Sequence, residues 1–419
     1  MNMEPPRSHR SLPPEGAASP VGRPGGTGAP VYLDHNATTE PCAEAIEEML
    51  DSLQTAWANP SSVHAPGQAA RRALADARMR IAAFLGCQGA ELVFTSGATE
   101  ANHMAVLGAL SREDPLKGQS RRLVLSAVEH PGLLALAERL KAQGQAVDLI
   151  PVNAQGQIDM HAARALIRDD VALVSVMGAN NETGVLMPTA ELAALAHAAG
   201  SLLHVDATQL VGKTLMRFDT SGADLWSVSA HKLHGPKGIG ALIVRKGLAW
   251  PALFNGRQER QRRGGTENMP GILGFAAAAE RTARTLAEDV ARMRTLQVRL
   301  EAGLCMALPD MHLYGAQAER LPNTSCVRFG TLDAEQVLGK LERAGVVASS
   351  GAACTASGTQ PSHVLLAMGE TALRAKASVR LSLGRETSAD DVERVIAAAV
   401  QAIGPLLEAT HAPAEPLAA

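Results

Sequence analysis

Lys232 closes the stretch Ser229-Ala230-His231-Lys232 at the end of an apolar run, where a lysine can lose its proton by desolvation and attack carbonyl groups. Most lysines are only surface charges, so this one gains meaning from its companions. Asp206 ends the alternating run Leu202 to Asp206, and a carboxylate there can be a loop acid, a metal ligand or the partner of a buried cation. Metal binding needs several converging ligands, and His204 is expected on the opposite strand face. Ser96-Gly97-Ala98-Thr99 lies between a strand and a helix beginning near Glu100. Backbone N–H groups at such a start can bind an anion, although an ordinary capping turn has the same pattern. A nucleophilic amine, a carboxylate for a pyridinium nitrogen and a phosphate-binding helix start are together what pyridoxal phosphate requires.

Two further residues have chemistry of their own. Arg380, in Ser378-Val379-Arg380-Leu381-Ser382, is suited to gripping a carboxylate with two parallel hydrogen bonds, or it is a charge on a strand edge. Cys354 lies in the small-residue run Ser349 to Gly358, which contains no core-forming side chain. That run predicts an exposed loop with an accessible thiol, which is either functional or incidental. Cys42, Cys87, Cys305 and Cys326 lie in or beside apolar or helical segments and are expected to be core or unremarkable. His64 and His363 are expected to be structural.

The elements that must position these groups alternate. Strands are predicted at 91–95, 122–127, 172–177, 201–206, 225–229 and 241–245, separated by Ala-rich helices such as 67–85, 133–143 and 189–199. This alternation predicts an α/β domain with a mainly parallel sheet, whose ligands sit beyond the carboxyl ends of the strands. Polar groups follow those ends repeatedly: Ser96 to Thr99, Glu129-His130, Asn180-Asn181-Glu182, Asp206 with Gln209, and Ser229 with His231 and Lys232. A long helical stretch, 275–308, then leads into a second, α+β domain, and no internal repeat is evident.

Composition narrows the function. The 419 residues are 46% hydrophobic, enough to bury a sizeable core. A net charge of −3 offers no basic surface for nucleic acid, and three Trp, two Tyr and six Phe are too few to stack bases. Five Cys in a long chain speak against a disulfide framework and for a reducing compartment. No apolar stretch reaches the ~18 residues of a membrane span. Residues 1–30 are crowded with Pro, Gly and Ser, lack a secretory signal and an amphipathic presequence pattern, and read as a flexible tail.

In this order, the segments resemble the cysteine desulfurases, pyridoxal-phosphate enzymes of the aspartate-aminotransferase fold (fold type I). The resemblance rests on Tyr32 to Thr39, Asn59 to His64, Phe94 to Glu100, Val128 to Pro131, Asn180 to Gly184, His204 to Ala207, Ser229 to Gly238, Arg263 to Asn268 and the Cys354 loop, over about residues 31–395. Ser349-Ser350-Gly351-Ala352-Ala353-Cys354-Thr355, followed by Gln360 to Val364, is similar to the long-loop branch with its NifS-like members. Between the 1–30 tail, which exceeds the family pattern, and a second Pro/Ala tail over 409–419, the resemblance implies a segment 31–41 joining the small domain, a large cofactor-binding domain over 42–288 and a small domain over 289–408.

It also implies roles. Lys232 would anchor the cofactor aldehyde, Asp206 would pair with the pyridinium nitrogen, Gln209 with the ring hydroxyl, and His130 would stack on the ring and move protons. Ala98, Thr99, Ser229 and His231 would hold the phosphate, joined by Thr266 from a second copy in a homodimer. Asn181 would contact cofactor and substrate. Arg380 would grip the carboxylate of L-cysteine, and Asn36 would assist. Cys354 would take the sulfur and pass it to an iron–sulfur scaffold or another acceptor protein in the cytoplasm, with nitrogenase maturation as one destination. His35 departs from the usual residue there. Other readings are a different pyridoxal-phosphate lyase or aminotransferase, or a non-catalytic scaffold.

Overall fold

Seven consecutive buried residues, Val171–Met177, are what a strand covered on both faces requires. They lie near the middle of a seven-stranded sheet in the computed structural model, which describes residues 29–112, 122–351 and 360–411. Cys354 and both expected tails, apart from a few residues at their inner ends, lie outside the described residues.

In chain order the elements are β1 (Val31–Tyr32), α1 (Ala43–Thr55), α2 (Ala65–Leu85), β2 (Leu92–Thr95), α3 (Ala98–Ser111), β3 (Arg122–Ser126), α4 (Pro131–Ala142), β4 (Val147–Ile150), α5 (Met160–Leu166), β5 (Val171–Met177), α6 (Thr189–Ala198), β6 (Leu202–Asp206), β7 (Leu225–Ser229) and β8 (Gly240–Val244). There follow α7 (Met269–Ala307), β9 (Met311–Leu313), β10 (Thr324–Phe329), α8 (Ala334–Arg343), β11 (Val346–Val347), β12 (Ser349–Ser350), α9 (His363–Ala367), α10 (Ala372–Lys376), β13 (Ser378–Ser382) and α11 (Ala389–His411).

The large sheet has the order β2-β8-β7-β6-β5-β3-β4. From β7 through β4 every pairing is parallel, and β8 runs antiparallel to both its neighbours. The mainly parallel α/β reading therefore holds. β4 was not expected from the sequence. It is a short edge strand, largely half-buried, and its Asp148 pairs with Arg122, so its apolar run is too brief to stand out.

α7 ties this sheet to the rest. Asn268 caps its start by accepting from the Gly271 N–H at 3.2 Å. Its first three turns, Met269 to Ala279, pack into the core behind the large sheet, while Leu296, Leu300 and Leu304 enter a second core. That second core lies against an antiparallel sheet of order β12-β13-β10-β9. Val31 and Leu33, from the start of the described chain, pack there too, and β1 pairs with β11. Arg380 sits on β13 between Cys326 of β10 and Ser349 of β12. It is an interior position only 2% exposed, which rules out the surface-charge reading.

Candidate active site

β2 ends at Thr95 and α3 begins at Ala98, so the first N–H groups of that helix have no acceptor within it. Gly97 precedes them, and Gly240 of β8 lies beneath. A Cβ added at Gly240 would stand 2.7 Å from the Gly97 Cα, so only glycine lets the turn settle onto the sheet. The neighbouring strand ends place Asp206, Ser229 and, one short turn further, Lys232 around the same hollow.

That hollow has a volume of about 560 Å³. It brings together Asn36, Ala98, Thr99, His130, Asn181, Asp206, Gln209, Ser229, His231, Lys232 and Arg380. Thr266 does not line it and is exposed, and Cys354 lies outside the described residues. A larger hollow, about 760 Å³ between α2, α7 and residues 211–217, is walled mainly by aliphatic groups and holds none of these side chains.

Within the cavity each group is held by others. The Lys232 amine donates to the carbonyls of Asn36 and Ala37 at 2.6 and 2.8 Å. Buried Asp206 accepts from Asn102 at 2.7 Å and from the Thr208 N–H at 3.0 Å. His130 caps α4 by accepting from the Gly132 N–H at 3.2 Å. Burial holds its imidazole below the ordinary range, the Asp206 charge pulls it back, and the Lys232 cation adds to the lowering. His231 meets the Thr38 hydroxyl at 3.1 Å, and burial together with the cations of Lys232, Lys237 and Lys213 lowers it to about 4.

The opposite wall is a polar lattice. The Asn36 amide donates to the Asn181 carbonyl at 3.2 Å and to the Thr324 hydroxyl at 2.8 Å. Arg380 donates to that same carbonyl at 3.2 Å and to Asp34 at 2.6 Å. Lys213 donates to Gln209 and, at 3.1 Å, to the Asn36 side chain. Burial and the cations of Lys232 and Arg380 hold the Lys213 amine well below its usual range.

Asn102, Asp34 and Lys213 were not singled out from the sequence. Asn102 had a signal: it lies four residues after Ala98, on the same face of α3. Asp34 acts through Arg380, far along the chain, and Lys213 through Gln209 four residues back and Asn36 far along the chain. One expectation is corrected. His204 shares a strand face with Asp206, because residues two apart on a strand point the same way. Its ring bonds Ser175 and Ser227 at 2.8 Å each, and burial lowers it to about 4, so it is a neutral strut. His64 caps α2, and His363 bonds the Glu129 carbonyl, both structural as expected.

The sequence model of the class-V aminotransferases matches residues 31–395. A cysteine desulfurase of Cereibacter sphaeroides is 45% identical over 369 residues, spanning 87% of this chain and 94% of that relative. The chain belongs to the class-V aminotransferases, and within them to the cysteine desulfurases. Among solved structures, a NifS-like protein superposes with a TM-score of 0.83 at 31% identity, over 90% of this chain and 99% of its own. A protein titled SspA in complex with cysteine gives 0.72 at 29% identity, over 85% and 100%.

The cofactor of this desulfurase family is pyridoxal phosphate, and the residues of the hollow fit it. Free helix N–H groups with the Thr99 and Ser229 hydroxyls suit a phosphate dianion. The Asp206 carboxylate suits a protonated ring nitrogen, and the Lys232 amine suits an aldehyde. The Thr208 hydroxyl, in the lining, is buried without a hydrogen-bond partner among the described residues. An unsatisfied polar atom of that kind fits a pocket shaped for a polar guest.

Proposed function

We propose that the protein takes sulfur from L-cysteine, giving L-alanine and a persulfide on Cys354. The observation that carries this reading is the convergence of Lys232, Asp206, His130 and Arg380 in one cavity at the carboxyl ends of the strands. When bound, pyridoxal phosphate supplies an electron sink conjugated to the substrate amine. Everything else falls to the chain's own groups. The start of α3, with Ala98, Thr99, Ser229 and His231, holds the phosphate end. Asp206, oriented by Asn102 and the Thr208 N–H, keeps a proton on the ring nitrogen, and Gln209 addresses the ring hydroxyl.

Arg380 grips the substrate carboxylate, with Asn36 and Asn181 completing that wall. The Lys232 amine accepts the Cα proton, and His130, neutral at neutral pH, relays protons beside it. The Cys354 thiolate attacks the substrate sulfur, and the Cβ–Sγ bond breaks. The sulfur stays on Cys354, and Cβ takes a proton to become the methyl group of alanine.

The same reading pairs two copies of the chain, each lending Thr266 to the other's phosphate site. It divides the chain into units at 42–288 and 289–408, in keeping with the handover between two cores along α7. The persulfide passes to an acceptor protein, with an iron–sulfur scaffold as the first candidate and nitrogenase maturation one possible use. The cytoplasm is the proposed setting. Among the described residues no helix is long and apolar enough to cross a membrane.

Incubation with L-cysteine tests the reading. Alanine and a sulfur-bearing Cys354 should form together, and Cys354→Ala should keep the cofactor's absorbance yet yield no persulfide. A variant that still made alanine and sulfide at the normal rate would refute Cys354 as the acceptor. Accumulation of a 2-oxo acid would point to an aminotransferase instead.

A further inference from the structure

One buried acid is unused by this chemistry. Glu182 follows Asn181 in the turn after β5 and is 3% exposed. The turn is rigid. The Asn180 side chain accepts from the N–H groups of Glu182 and Thr183, each at 2.9 Å, and Gly184 closes it by donating to the Asn180 carbonyl. Gly184 has φ +77°, and a Cβ there would stand 2.8 Å from Thr324, so only glycine makes this turn.

The two faces of the turn look in different directions. Asn181 lines the cavity, and its carbonyl accepts from both Asn36 and Arg380. Glu182 reaches the other way. Its carboxylate accepts from the Ser362 hydroxyl at 2.5 Å. Ser362 in turn caps α9 by accepting from the Leu365 N–H at 3.1 Å. The same Glu182 oxygen would lie 2.9 Å from a Cβ built on Gly351, so the backbone at Gly351 packs directly against the carboxylate. Gly351 directly follows β12, which pairs with the strand carrying Arg380. Gly351 and Ser362 flank the stretch that contains Cys354.

We propose that Glu182 is a positioning residue that holds both flanks of the Cys354 stretch against the turn presenting Asn181. It thereby fixes the two points, Gly351 and Ser362, from which that stretch departs, and so governs how fast sulfur reaches Cys354. This rests on the reading of Cys354 as the sulfur acceptor. Burial raises the Glu182 carboxyl to about 7, against the pull of the Ser362 hydroxyl and the Arg380 charge. An acid kept at that cost in a dry site is consistent with a geometric duty.

The test uses purified holoenzyme in three forms: wild type, Glu182→Ala and Glu182→Gln. Two quantities are read for each. One is the cysteine concentration that half-saturates the change in cofactor absorbance, and the other is the single-turnover rate at which the Cys354 peptide gains one sulfur by mass spectrometry. Glu182→Ala should bind cysteine within about twofold of wild type yet gain sulfur about tenfold more slowly, the scale of one lost charge-assisted hydrogen bond. Glu182→Gln, whose amide oxygen can still accept from Ser362, should recover most of that rate. Gly351→Ala, which crowds the same oxygen, should mimic Glu182→Ala.

Equal sulfur-transfer rates in wild type and Glu182→Ala would overturn the proposal. So would a matched loss of cysteine binding, which would assign Glu182 to the substrate wall, and so would loss of the cofactor band in both variants. A wild type that takes no sulfur on Cys354 would overturn the desulfurase reading itself, and this role with it.

Discussion

Asp206, Ser229 and the Ala98–Thr99 turn stand on the ends of strands of one sheet, whereas Asn36, Asn181 and Arg380 meet only because distant parts of the chain converge. On the strand-end wall, backbone hydrogen bonds of the sheet place the functional groups, with a local side chain such as Asn102 on Asp206 steadying them. On the other wall, the support is a lattice of side chains, joined through the Asn181 backbone carbonyl, running from Asp34 through Arg380 to Asn36, Gln209 and Lys213. Removing a group from the first wall should remove one function. Removing a group from the second should leave buried partners unmatched and spread its damage.

The largest effect should come from the strand-end wall, at the amine itself. Lys232→Ala should lower turnover by roughly 10²–10⁴-fold, the scale of a lost proton-transfer group, and abolish the cofactor's native absorbance band. Retention of that band would remove Lys232 from its role. Next comes the lattice. Arg380→Gln leaves Asp34 without its charged partner and should raise the half-saturating cysteine concentration roughly tenfold to a hundredfold. It should also lower the melting temperature, which Lys232→Ala should barely change. If the two variants lost equal stability, the contrast between the walls would fail.

Smaller effects sharpen the comparison. Thr99→Ala should weaken cofactor retention about tenfold, the low end for one hydrogen bond to a charged phosphate, without disturbing cysteine binding by the loaded protein. Equilibrium dialysis of the cofactor would measure it. A last effect is on stability and concerns Glu129, behind the strand-end wall. Its carboxyl is fully buried, and burial raises it to about 8 although Ser126 and the Met177 N–H donate to it. A folded-state value above the unfolded one means stability is complete below about 4.5 and declines as pH rises toward 8. Between those limits wild type should lose about 1.4 kcal/mol per pH unit relative to Glu129→Gln, measured by denaturant melts. Parallel pH profiles for the two proteins would contradict this.

The same contrast explains what could be read from the chain before folding. Strand ends announce themselves, since an apolar run followed by polar residues marks both the strand and the mouth of the site. Asp206, Ser229, Lys232 and the Ala98–Thr99 start were legible for that reason. β4 was not, because an edge strand with a central aspartate has too little apolar signal. The lattice was mostly silent too. Asn36 bonds Asn181 across 145 residues and Thr324 across 288, and Lys213 reaches Asn36 across 177. No local period records such pairings. Asn36 came from resemblance to a family alone, Asn181 and Arg380 were flagged by position and residue type with their roles added by the resemblance, while Asp34 and Lys213 needed coordinates. His204 was misplaced by a parity slip, since a two-residue step on a strand returns to the same face.

The central claim is that the amine, the carboxylate and the guanidinium gathered in this hollow serve a thiol that lies outside the described residues. Mass spectrometry of the Cys354 peptide after one turnover with L-cysteine addresses it most directly. The peptide should gain a single sulfur atom in step with the alanine formed, and neither should appear with Lys232→Ala. Alanine released at full rate while that peptide stays unmodified would contradict it.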